Sequence, residues 1–182
     1  MPIQPIHRHP ARQRGVSLLE AMIAFAVISV GLLGIAKMQA LAINSTRNAS
    51  SRSVAAVAGA SLSSMMSVNR AYWGSGLAPA SMSVSGATIS DPSLTAAQGA
   101  DCTSGPCSPA QMAAWDLTAW GSMTKSLMPG GQGTIACSTG VGNPVTCSIQ
   151  ISWQEKLVAM NAATQSAANS ATTQTFVLLT QP

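Results

Sequence analysis

The sequence predicts an α+β fold: a long N-terminal helix, membrane-spanning in its first half, packed by its second half on a small antiparallel sheet, with one extra helix. Three observations predict it. No proline occurs between Val16 and Arg70, so nothing in that stretch forbids a continuous helix. The segment SPAQMAAWDLTAWGSMTKSLMPGG carries the start and stop signals of a second helix. Further on, VTCSIQISW alternates apolar and polar residues with the period of a half-buried strand.

The first helix divides by composition. From Val16 to Ala36 the one ionisable side chain is Glu20, and the rest is almost wholly apolar. At about 1.5 Å per residue this run can cross a hydrocarbon layer of about 30 Å. Arg8, Arg12 and Arg14 precede it. Positive charge stays cytoplasmic, so the expected orientation exports everything after the run. Beyond Lys37, Val54, Ala58, Leu62, Met65 and Met66 recur at helical spacing and form a stripe suited to packing on a domain, leaving Arg47 and Arg52 to solvent.

A plain anchor does not explain Glu20, because an ionised carboxylate costs about 2.5–3.5 kcal/mol at mid-membrane. A cleaved secretory signal fits poorly too. Ala40, Leu41 and Ala42 suit a cleavage site, but the apolar run exceeds the usual length of roughly 7–15 residues, and Lys37 intervenes.

After the first helix, GSGLAPASMSVSGATISDPS is rich in Gly, Pro and Ser and reads as a loop. In the second helix Ser108 caps, Pro109 suits the first turn and Gln111 completes a capping box. Met112, Trp115, Ala119, Met123 and Leu127 are the expected buried face, with Trp115 and Trp120 as packing residues. Lys125 suits the last turn, and PGG ends the helix. GTIACS is the expected partner of VTCSIQISW, and TQTFVLLT makes a third strand. Between them NAATQSAANSATT is low in complexity and reads as a loop.

Composition excludes several functions. Charged residues make up only 8% of the 182, and beyond Gly15 six basic residues face five acidic ones, so there is no strong nucleic-acid signal. Cys102, Cys107, Cys137 and Cys147 lack the spacing or nearby histidines of a zinc site, since His7 and His9 both precede the apolar run. Disulfides formed outside the cytoplasm are the expectation. Three pairings are open, and two local loops are preferred. Asp91, Asp101, Asp116 and Glu155 make no recognisable dyad, and the abundant serines have no histidine base. No enzyme, metal or cofactor is expected.

The stretch RGVSLLEAMIAF resembles the leader junction of type IV pilins and their relatives. The resemblance implies that a prepilin peptidase cuts after Gly15 and methylates the new amine on Val16, where the family usually has phenylalanine. It also implies that Glu20, the fifth mature residue, meets the amine of a neighbouring subunit. The segments SVNRAYW, AAWDLTAW, LMPGGQGTI and IQISWQEK, in that order, are similar to PilV-type minor pilins and extend the likeness over most of the chain.

That likeness implies a structural subunit of the complex that primes pilus assembly near the tip, carried into the cell-surface pilus. The prepilin peptidase, other minor pilins, the major pilin and the inner membrane are the implied partners. The expected organisation is a cleaved basic leader over 1–15, a transmembrane and assembly helix over 16–36, its distal half over 37–70 and a periplasmic domain over 71–182. A type II secretion pseudopilin, or a pilus-tip adhesin or binding module, is the alternative.

Overall fold

The structure, a computed structural model, describes residue 15 and residues 17–138, 144–156 and 170–182. The chain divides into two compact units, the first ending at Leu41 and the second running from Ala42 to Pro182. Helix α1, Leu18–Val68, contributes to both, as the absence of proline predicts.

In the first unit the large apolar side chains of α1, from Leu18 to Met38, are all more than half exposed. They point in every direction around the axis. Such a helix is not the one-sided surface helix of a globular domain; it suits lipid or the interior of a bundle.

The second unit has its own core. After α1 come α2 (Arg70–Trp73), β1 (Met82–Ser85), β2 (Thr88–Ile89), α3 (Pro92–Ala97) and α4 (Pro109–Leu127). Strands β3 (Gln132–Cys137), β4 (Cys147–Lys156) and β5 (Ala171–Thr180) complete it. The strands form one antiparallel sheet in the order β2-β1-β3-β4-β5. Two helices cover one face. α1 lies over β4 and β5, where Gly59 comes so close that a Cβ there would sit 3.1 Å from Phe176 and 3.7 Å from Ile151. α4 lies over β1 and β3, with Gly121 against Val84 and Gly86, and Trp120 against Gly133. On the opposite face Ser83, Thr134, Gln150 and Thr175 are exposed.

Polar bonds tie the layers at their seams. The buried Trp120 Nε1–H donates to the carbonyl of Ala58 at 2.9 Å, joining α4 to α1. Asn69 Nδ2 donates to the Pro109 carbonyl at 2.8 Å, and the Ser63 and Thr180 hydroxyls meet at 2.6 Å. Arg52 of α1, 65% exposed, places Nε 3.7 Å from Oε1 of the buried Glu155, which also accepts from Trp153 Nε1 at 3.0 Å.

On α1 the predicted stripe faces the sheet: Ala58, Leu62 and Met66 are buried, Val54 and Met65 half-buried, and Ala55 and Gly59 join them. On α4 the predicted start is present. Ser108 Oγ accepts from the Gln111 N–H, and Gln111 Oε1 accepts from the Ser108 N–H at 2.9 Å.

The predicted buried face of α4 is corrected. Ala113, Ala114, Leu117, Trp120, Gly121 and Thr124 face the core, whereas Trp115 and Met123 are each 38% exposed and Leu127 is 55% exposed. Ala119 is also exposed and Met112 half-buried. The reason is close approach: a helix lying on the backbone at Gly86 needs a residue without a side chain there, and Gly121 supplies it, which sets the face of α4 that turns to the core. Side-chain size, which marks the Met and Trp stripe as core, points the wrong way.

The Gly-, Pro- and Ser-rich stretch after α1 is also corrected, since it contains the hairpin β1–β2 and the start of α3. Met82, Val84 and Ile89 are buried in it at alternating register. The two-residue loop has Gly86 at φ +60°, the sign that the first position of a type II′ turn requires. Asp91 caps α3 by accepting from the Leu94 N–H at 2.9 Å. Its carboxyl is held below the usual range by the Ser93 hydroxyl first, with backbone N–H groups adding to it. The sheet therefore has five strands rather than three. Of NAATQSAANSATT, residues 161–169 lie outside the described residues, and Ala171–Thr173 open β5.

Candidate functional site

The start of α1 is the candidate site. Gly15 is exposed, and among the described residues a Cβ built on it would meet nothing within 4 Å. Val16 lies outside the described residues. The helical ladder begins where the Ala21 N–H donates to the Ser17 carbonyl at 3.1 Å. Glu20 sits in the first turn with its side chain exposed. There the unpaired N–H groups and the helix dipole favour a negative charge.

Two properties of this arrangement bear on chemistry. A carboxylate one turn in from the end lies near the boundary of an apolar segment rather than at its centre. Its desolvation cost there is below the mid-membrane figure, and a positive group arriving beside it would reduce the cost further. Beyond Glu20 the next charge is Lys37, and between them the one polar side chain is Ser29, whose hydroxyl donates to the Phe25 carbonyl at 2.7 Å. The segment is long and apolar enough to cross a membrane, and Glu20 is the charge at its start.

The cysteines stand elsewhere, in the second unit. Cys102 bonds to Cys107 with Cα atoms 5.5 Å apart, and Cys137 to Cys147 with Cα atoms 4.0 Å apart. The second bridge joins directly opposed residues of β3 and β4. Among the described residues no three or more His, Cys, Asp or Glu side chains are grouped to hold a metal.

Two features of the second unit escape sequence reasoning. The Arg52–Glu155 contact joins residues far apart in the chain, and no local spacing signals it. Asp116 lies half-buried in a cleft between α1 and α4, where burial raises its carboxyl above the usual carboxylate range.

Residues 10–36 match the prokaryotic N-terminal methylation motif. No curated protein and no solved structure matches the chain. The motif, which takes in the apolar first part of the long helix Leu18–Val68, indicates a type IV pilin-like or pseudopilin protein, a class of structural subunits.

Proposed function

We propose that the chain is a minor pilin-like subunit that a prepilin peptidase processes and that acts in the complex priming pilus assembly, near the pilus tip. Residues 1–15 are the leader, Val16 is the methylated N-terminal residue of the mature protein, and residues 16–36 anchor the subunit in the inner membrane. The N-terminus faces the cytoplasm and the second unit is periplasmic until the subunit joins other pilins. One observation carries the reading: a helix exposed and apolar all round, with Glu20 alone in its first turn, inside a matched methylation motif.

The mechanism follows from those properties. Cutting before the apolar run, rather than after it, keeps the run attached as an assembly element. Lipid solvates it while the subunit waits. On assembly, helix contacts replace lipid contacts at little hydrophobic gain, so specificity falls to the one polar group. Glu20 supplies it by pairing with the N-terminal amine of a neighbour, where low dielectric strengthens the attraction. Glu20→Ala therefore leaves membrane insertion intact and lowers incorporation into pili by about a hundredfold or more, the scale of a lost buried ion pair. Immunoblots of membranes and of sheared pili read both quantities. Normal pilus number with normal incorporation would remove the assembly role from Glu20.

A further inference from the structure

The two helices that cover the sheet leave a seam on their solvent side, wholly within the second unit. They run past each other in opposite senses there. At one end the seam opens to a cleft of about 700 Å³, with Met65 and Val68 of α1 facing Pro109 and Met112 of α4. At the other end a smaller cleft of about 170 Å³ lies between Val54 and Val57 on one side and Met123 and Leu127 on the other. Ser61, Ser64 and Asn69 also line the larger cleft, and the apolar side chains along the seam are not covered: Val57 is 65%, Val68 88% and Leu127 55% exposed.

Among the lining residues of both clefts, Asp116 carries the one charge. Its carboxylate is half-buried, and among the described residues it accepts no hydrogen bond and meets no cation. Burial raises its carboxyl, and nothing in the fold offsets that cost. An uncompensated acid on the wall of an apolar groove is charge-complementary to a basic side chain whose methylene stem can cover methionines while its head reaches the carboxylate.

We propose that this seam is a docking groove for an amphipathic helix of a partner protein, which sets a Lys or Arg against Asp116 and apolar side chains between Val57, Met123 and Leu127. Met123 and Leu127 lie seven and eleven positions beyond Asp116 on α4, so at about 1.5 Å per residue the two anchor points are roughly 10–16 Å apart. A compact small molecule does not span that distance, whereas two to three turns of helix do. The proposal concerns the second unit and does not depend on N-terminal processing.

The test uses the full-length chain in detergent micelles and a library of helix-forming peptides of about 15 residues, long enough to span the groove. The library varies Lys, Arg, Gln, Glu, Leu and Ala. Selection should enrich peptides with one basic residue and a leucine seven to eleven positions away. Asp116→Asn should bind the enriched peptides about tenfold more weakly, the scale of one charge-assisted bond. Leu127→Ser, altering an exposed residue, should weaken them too and leave the preference for a basic residue unchanged. Enrichment without a basic residue, or equal binding by Asp116→Asn, overturns the proposal. Self-association of the wild-type chain that Asp116→Asn abolishes also overturns it, because the occupant would then be a second copy.

Discussion

Tyr72, the chain's single tyrosine, is buried with a hydroxyl that has no hydrogen-bond partner among the described residues. Burial pushes its phenol up to about 12, and the Asp91 carboxylate adds to the rise. Ser93 offsets a little of this, though its hydroxyl is not in hydrogen-bonding geometry with the phenol. A raised folded-state value means that the stabilising contribution is complete below pH 10, where the unfolded phenol is still neutral. It is lost as pH rises from there towards 12, and amounts to about 2–3 kcal/mol. Tyr72→Phe removes that dependence and an unsatisfied polar atom together. The variant should match or exceed the wild type by about 1 kcal/mol at neutral pH and gain further on it above pH 10. Chemical denaturation across that range reads the difference, and phenolate absorbance of the native chain reads the titration directly. A phenol that titrates near 10 in the folded protein would contradict this picture.

At the scale of elements, the closest packing is α4 on the sheet. A Cβ at Gly133 would overlap the Trp120 ring, and that ring cannot move without losing its bond to Ala58. Gly133→Ala should therefore destabilise the second unit by about 2–4 kcal/mol, overpacking plus one buried hydrogen bond. Gly105→Ala, where a Cβ meets nothing within 4 Å, should stay within about 0.5 kcal/mol. Equal midpoints for the two variants in urea would contradict the packing described. The same contact shows what the sequence could convey. Helix starts, the α1 stripe and the β4 alternation are local patterns, and each is legible because one short segment contains it. The buried face of α4 depends on where Gly86 and Val84 lie, which is information from another part of the chain. The β1–β2 hairpin was obscured for a different reason: its turn residues dominate the composition, although Met82, Val84 and Ile89 carry the strand signal.

Over the whole molecule, two units answer two different solvents. The second, Ala42–Pro182, buries a core between sheet and helices and is bridged by two disulfides. The first presents apolar side chains all round and gains stability only from lipid or from other helices. The candidate site was legible in the sequence because an acid among apolar residues is conspicuous without any tertiary information. The Asp116 groove was not, since it exists only once α1 and α4 lie side by side. Everything proposed for assembly rests on where the chain is cut, and the N-terminal sequence and intact mass of the protein recovered from membranes measure that directly. A mature chain beginning at Val16 with one added methyl group is the expected result. A chain beginning at Ile43, or an uncut chain beginning at Met1, would contradict it.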